Sequence, residues 1–456
     1  MTKRSGVRIA ALQEAARTRL WPVPVTGVVL AVVAGVLLPL LDERVDEHLP
    51  AAVRDLVFGG GAGAARTVLD AVASSLITVT SLTFSLTVVT LQLASSQFSP
   101  RLLRTFTQDR FVHTTLAVFL STFTYALTVL RTVRSPSDDD GAAGVSAVVP
   151  RISVTVAFLL AVASVVCLVL FLAHLAREIR VETMLERVQA DACRTADLLY
   201  PTDGTVEVDR SPVRVPDHAV PLPAAGSGFL CLVQEDALLE AATEQDVVVV
   251  VERFPGSSVV RGTPLAWCWP RSGPALDPDV RRRVQEALRD AVQIGSEPTQ
   301  AQDLAFGLRQ LVDVADKALS PGINDPTTAV HALGHASAFL CSVADRPLGD
   351  QVGRDEDGTT RLVLRRPGMP ELLDLAVAQP VRYATDPAVL ARVADLLGEV
   401  AWSTSRPVVR TAVRDQLSRV RAAAARADLD ELDEQRLREA FAQVGRALAH
   451  PGGPAA

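Results

Sequence analysis

Four stretches, 22–41, 71–93, 112–130 and 152–175, run for about 20 residues each without an interior Asp, Glu, Lys or Arg. A helix of about 20 apolar residues spans the hydrocarbon core of a bilayer. A single charge at its centre costs about 2.5–3.5 kcal/mol on insertion scales. The pattern therefore predicts a four-helix transmembrane domain over 22–176 rather than the buried helices of a water-soluble protein. The helical period continues past the fourth span through Met184, Leu185 and Val188. That predicts a helical extension over 177–200, ended by Tyr200-Pro201.

The period then changes. Residues 201–226 are rich in Pro, Gly and Asp and read as a linker or irregular edge. Short runs beginning at Phe229, Asp246 and Ser258 read as strands, with a helix near 236–243 between the first two. These make 201–270 a small β-rich subdomain. Its segment 254–267 resembles a turn of the small β-barrels of biotinyl and lipoyl domains, but has no lysine at the hairpin tip to carry a cofactor. From Asp277-Pro278 onward helical patterns dominate, giving a helical bundle over 277–449 and a Pro-Gly-Gly-Pro tail at 450–456 expected to be disordered. The predicted fold class is an α-helical membrane protein, with four transmembrane helices followed by a cytoplasmic α+β region.

Orientation follows from the flanks. Lys3, Arg4, Arg8, Arg17 and Arg19 lie in the N-terminal arm (1–21), Arg101, Arg104 and Arg110 follow span two, and Arg177, Arg180 and Arg187 follow span four. The other two loops hold Asp42, Glu43, Asp46, Glu47 and Asp55, then Asp138, Asp139 and Asp140. The positive-inside bias puts both termini in the cytoplasm, with Trp21 as an interfacial anchor. The first apolar run ends in acidic residues rather than at a small-residue cleavage site, so it reads as a span and not a signal peptide.

Span two is unusually polar. Ser74, Thr78, Ser81, Ser85, Gln92 and Ser96 fall near one helical face, and Thr80, Thr83, Thr87 and Thr90 repeat on another. Hydroxyls bond back to helix carbonyls at little cost, so helix packing through small residues explains the stripes. A pore lined by span two in an oligomer also explains them, with Ser74, Thr78, Ser81, Ser85 and Gln92 facing the path and Phe84 as an apolar constriction. Span four, mainly Val, Leu, Ala and Phe, is expected to face lipid. After span two, Ser99 and Pro100 suit a helix start, with Phe98, Leu102, Leu103 and Phe106 forming a short interfacial turn.

In the second half, the polar turn around 319–328 is expected to place Gly322 in the left-handed region, with Asp325 or Thr327 capping the next helix and Pro326 in its first turn. Ser320, Asn324 and Asp325, with Asp303 further upstream, are the candidates for contacting a ligand or partner.

Composition removes several other classes. A net charge of -7 offers no broad basic surface for nucleic acid. The five cysteines are scattered, without disulfide or zinc spacing. His331 and His335, four apart on a predicted helix, lack a third ligand, so no metal or cofactor is assigned. Gly59–Gly63 is not preceded by a strand, and no phosphate loop or nucleophile elbow is present, so catalytic residues are not assigned either.

The run from Ser95 to Phe106, the nearby Val129-Leu-Arg-Thr-Val133, and the run from Ala318 to Ala329 resemble bacterial predicted membrane proteins of the domain of unknown function 2254 family, over nearly the whole chain. The resemblance implies a bacterial inner-membrane protein and carries no activity. Two readings follow: an oligomeric, channel-like protein gated or assembled by its cytoplasmic region, or a membrane-anchored scaffold or sensor that binds a partner, ion or small ligand. The lipid bilayer and further copies of the chain are the expected partners.

Overall fold

The computed structural model describes residues 22–45, 57–97, 109–133, 149–178, 180–200, 213–273 and 275–450. The N-terminal arm with Trp21, the junction around Ser99 and Pro100, Asp138–140 and the tail from 451 lie outside them, as does the side chain of Ser96. The chain divides into two compact units, residues 1–180 and 181–456.

The first unit contains α1 (Pro22–Val45), α2 (Ala62–Gln97), α3 (Arg110–Leu130) and α4 (Arg151–Glu178). All four are long and apolar enough to cross a membrane. The apolar runs locate them well, although α2 begins nine residues before its charge-free run and includes Arg66 and Asp70. Helix α3 packs against the other three and is the most buried. Gly27, Ala31 and Gly35 form one small-residue row on α1 that lets α3 approach closely. A methyl group on Gly27 would lie 2.5 Å from Ser121 Oγ, and one on Gly35 2.8 Å from Thr128 Cβ. Helix α4 leaves Phe158, Leu159, Val162, Val165, Val166 and Val169 exposed, an apolar face suited to lipid.

The ends of these helices are tied by polar contacts. Asp42, near the end of α1, is buried, and its carboxylate accepts from the N–H groups of Ile152 (3.0 Å) and Ser153 (2.9 Å) and from Ser153 Oγ (2.8 Å). It satisfies donors that α4 leaves open in its first turn. Tyr125 of α3 donates to the Ser153 carbonyl at 3.1 Å, bringing three helices to one point. Asp42, by sequence an acidic residue at the end of the first apolar run, thus acts as a cap for another helix.

The second unit begins with α5 (Val181–Leu199). The helical pattern reads as one extension of span four, yet α4 stops at Glu178, and Arg180 N–H turns back to the Arg177 carbonyl at 3.1 Å, closing an i to i+3 turn. Next come β1 (Val220–Pro223), β2 (Gly228–Val233), α6 (Glu235–Glu244), β3 (Val247–Val251), β4 (Ser258–Val259) and β5 (Pro264–Pro270). Helix α7 (Pro278–Ala291) leads directly into β6 (Val292–Gly295). Helices α8 (Ala305–Ala318) and α9 (Pro326–Val343) precede the hairpin β7 (Gln351–Arg354) and β8 (Thr360–Leu364). Four helices close the unit: α10 (Met369–Tyr383), α11 (Pro387–Trp402), α12 (Pro407–Ala424) and α13 (Glu431–Ala449).

The strands form two open sheets, ordered β1-β5-β3-β8-β7 and β4-β2-β6. Leu222, Leu230, Leu238, Val249, Leu288 and Leu362 meet in their shared core with α6 and α7. Three strands lie in the stretch where helical patterns dominate. Strands β6 and β7 have four residues each and β8 has five, too short for alternation to stand out. Strand β8 nevertheless runs parallel to β3, with Val249 opposite Leu362. Arg366, 2% exposed at its side chain, ties this hairpin to the rest by donating to Gln351 Oε1, the Gln302 carbonyl and Glu235 Oε1.

Candidate functional site

The two polar stripes of α2 part on opposite sides of the helix. At about 100° per residue, Ser74, Thr78, Ser81, Ser85 and Gln92 fall within a ribbon roughly 60° wide. All five are exposed in the first unit. Ile77, Leu82, Val88 and Val89 flank them, and Phe84, also exposed, lies about 90° from the ribbon's centre line. On the other side Thr80, Thr83 and Thr90 are buried and Thr87 is half-buried. The second stripe therefore packs within the protomer, as small-residue packing expects, and the first does not.

The hydroxyls differ in how they are satisfied. Thr78 Oγ1 donates to the Ser74 carbonyl at 3.0 Å, and Ser74 Oγ to the Ala71 carbonyl at 3.3 Å. Thr80, Thr87 and Thr90 bond back in the same way. Ser81 and Ser85, in the middle of the charge-free run 71–93, have no hydrogen-bond partner among the described residues. Gln92 lies one residue from the end of the apolar stretch of α2. A hollow of about 540 Å³ bordered by Ile77, Thr78, Ser81, Leu82 and Ser85 is formed by α2 alone and stands open. It is a groove on one helix and not an enclosed cavity.

The turn between α8 and α9 has a different character. Ser320 O accepts from the N–H groups of Ile323 (3.0 Å) and Asn324 (2.9 Å), Asp325 N–H donates to Ala318 O (2.8 Å), and Ser320 Oγ donates to Lys317 O (2.6 Å). The left-handed residue is Asn324, with φ 50°, and not Gly322. Asparagine tolerates that region because its short side chain bonds locally. Asp325 caps α9 through Thr328 N–H (3.0 Å) and Thr328 Oγ1 (2.6 Å), and these bonds hold its carboxyl below the usual carboxylate range. Most of the polarity read as a contact surface is consumed by closing the turn.

Asp303 does not join that cluster. It precedes α8, whereas Ser320–Asp325 follow it, and 14 helical residues span about 20 Å. Asp303 is 2% exposed, accepts from Ala305 N–H at 3.0 Å and pairs with Arg309. Burial pushes its carboxyl up, against the pull of Arg309. Its neighbour across the β-subdomain is Gly256, at φ +90°.

His331 and His335 both face α5. His331 Nδ1 pairs with Glu182, His335 Nδ1 lies 2.6 Å from Gln189 Oε1, and His335 Nε2 lies 3.7 Å from Glu182. The two histidines clamp one helix to another.

One buried carboxylate was not legible as a site at all. Both oxygens of Asp316, on α8, are inaccessible and unpartnered among the described residues. Burial, with the charge of Asp313 adding, pushes this carboxyl up to about 7. An unfolded aspartate ionises near 4, so the folded state loses stability as pH rises from about 4 to 7, and the loss persists above 7. Asp316→Asn is therefore expected to stabilise the protein by about 1–2 kcal/mol at pH 8, discounted for partial solvent screening, and by close to nothing at pH 4. Thermal unfolding of both proteins across that range checks this; a pH-independent difference would remove the explanation.

The sequence profile described as Predicted membrane protein (DUF2254) matches residues 17–399. Uncharacterized proteins of Mycobacterium bovis and of Mycobacterium tuberculosis strain H37Rv are each 37% identical over 434 residues, covering 95% of this chain and 81% of theirs. No solved structure matches the chain.

Proposed function

The chain belongs to the predicted membrane protein family DUF2254, and from that premise we propose that copies of it assemble in the bacterial inner membrane around the exposed polar face of α2. In this reading α1–α4 cross the bilayer with both termini in the cytoplasm, the α2 ribbon lines a path for a small ion or polar solute, and the second unit assembles or gates it.

The observation that carries the reading is the mid-span pair Ser81 and Ser85, exposed and unpartnered on a helix whose opposite stripe is buried. In hydrocarbon an unsatisfied hydroxyl costs on the order of 2 kcal/mol or more. Bonding back to the helix, as Ser74 and Thr78 do, offsets part of that cost, and water or a neighbouring copy offsets the rest. The apolar face of α4 needs no such cover. The rival reading, a membrane-anchored scaffold or sensor acting through residues 320–325, has less support because that turn satisfies most of its own polar groups.

Single-particle imaging of the detergent-purified protein is the test, followed by flux measurements in liposomes. The expected result is a ring of several copies with α2 nearest the axis. Ser81→Leu/Ser85→Leu is then expected to cut flux on the order of tenfold or more by dewetting the ribbon. A monomer, or an assembly in which other helices meet while α2 faces lipid, would sink the proposal.

A further inference from the structure

A second constellation lies at the opposite end of the first unit from the Asp42 cap, where α3 begins and α4 ends. Asp109 is the N-cap of α3, and its Oδ1 accepts from Phe111 N–H at 2.8 Å. That bond aims Oδ2 at His174 Nε2, 2.6 Å away. Glu178, one turn further along α4, places Oε1 3.9 Å from the same nitrogen. One ligand atom from each of the three lies within 4.8 Å of the others. The side chains of His174, Asp109 and Glu178 are 24%, 15% and 11% exposed, so the cluster is sheltered but reachable from solvent.

We propose that Asp109, His174 and Glu178 bind a divalent first-row transition-metal ion that clips the start of α3 to the end of α4. The spacing is the first argument. A metal about 2.0–2.2 Å from each ligand holds neighbouring ligand atoms roughly 3–3.4 Å apart. The observed separations straddle that range, so small side-chain rotations complete the site without moving a backbone. Helix geometry supplies the second, because His174 and Glu178 are four residues apart and share one face of α4. The third is orientation. The Phe111 N–H holds one carboxylate oxygen of Asp109 and leaves the other for the ion, the outer bond that metal sites use to fix a ligand. Phe111 also packs its ring against His174, with centroids 4.7 Å apart, giving the imidazole an apolar wall.

Charge within the trio favours a cation, although Arg110, Arg177 and Arg180 lie next to its ligands in sequence and oppose one. The trio carries two negative charges when the imidazole is neutral, and the last turn of α4 adds partial negative charge from its carbonyl end. The amino end of α3 works against a cation, but Asp109 already offsets it as the cap. One imidazole with two carboxylates suits Zn²⁺, Mn²⁺, Fe²⁺ or Co²⁺ better than Ca²⁺ or Mg²⁺, whose ligands are oxygens. Three protein ligands leave positions for water, so the site can also exchange its ion. This inference is independent of the pore reading and holds for a single copy of the chain.

Co²⁺ is the probe, because its visible d–d bands report an imidazole and carboxylate environment. The full-length protein, stripped with chelator in detergent, is titrated with Co²⁺. The expected result is saturation at one ion per chain, displacement by Zn²⁺, and a loss of affinity of about tenfold or more in Glu178→Gln. His174→Ala should abolish the bands, and His331→Ala should leave them unchanged. Should His174→Ala fail to fold, Glu178→Gln decides, since it keeps the size and polarity of the side chain. No saturable band in the native chain, or one that Glu178→Gln and His174→Ala both leave intact, would overturn the proposal and leave Asp109–His174 as an ion pair only.

Discussion

Gly256→Ala is expected to destabilise the unit of residues 181–456 by about 3–5 kcal/mol, a large share of the stability of a typical domain. A Cβ there would fall 2.0 Å from Asp303 Oδ2 and 2.9 Å from Arg309 Nη2. Two costs combine. Holding alanine at positive φ costs roughly 1–2 kcal/mol. Pushing the Asp303 carboxylate off Arg309 leaves a buried charge without its partner, which costs about 3–5 kcal/mol when a pair is broken outright. Movement of the Arg309 side chain recovers part of the second. Hydrogen exchange in the full-length protein reads this out, with protection in segments 247–259 and 303–312 expected to fall by roughly two to three orders of magnitude. Unchanged protection would mean that the loop at Gly256 accommodates a side chain, contrary to its packing against Asp303.

The second large effect is expected at Asp42. Asp42→Ala removes three hydrogen bonds to the first turn of α4, two of them from backbone N–H groups. A lost cap costs about 0.5–2 kcal/mol, and bonds to a charged acceptor about 1.5–3 kcal/mol. The expected loss is about 2–4 kcal/mol for the first unit. Asp42→Asn should lose roughly half of that, because its single carbonyl oxygen still accepts from one N–H. Thermal unfolding in detergent distinguishes the two variants. Equal losses would assign the effect to side-chain size and not to capping.

What the sequence made legible depends on the range over which each signal acts. The four long apolar helices were visible because a charge-free run is a local property of about 20 residues. The strands containing Phe229 and Val247–Val251 were visible for the same reason. Asp42 was not, since its partners lie about 110 residues away and nothing in its neighbourhood distinguishes a cap from an acidic loop. The Asp109–His174 contact joins residues 65 apart and was equally hidden. The turn at 320–325 was located correctly, but Gly322 drew the left-handed assignment that Asn324 takes, because composition alone favours glycine. On α2 the periodicity separated two stripes without saying which one the protomer buries; packing against α3 decided that.

The parallel pairing of β3 with β8 bears on how the chain is made. During synthesis Val247–Val251 leaves the ribosome about 110 residues before its partner strand exists. At roughly 5–20 residues per second, that interval lasts on the order of 5–20 seconds. Throughout it, one edge of a strand of five consecutive valines has nothing to pair with, the composition most prone to joining another chain. Helices α7, α8 and α9 are translated in the meantime. The order of the gene thus leaves the nascent second unit exposed to aggregation until its late hairpin arrives, and slow translation between β3 and β8 lengthens that exposure.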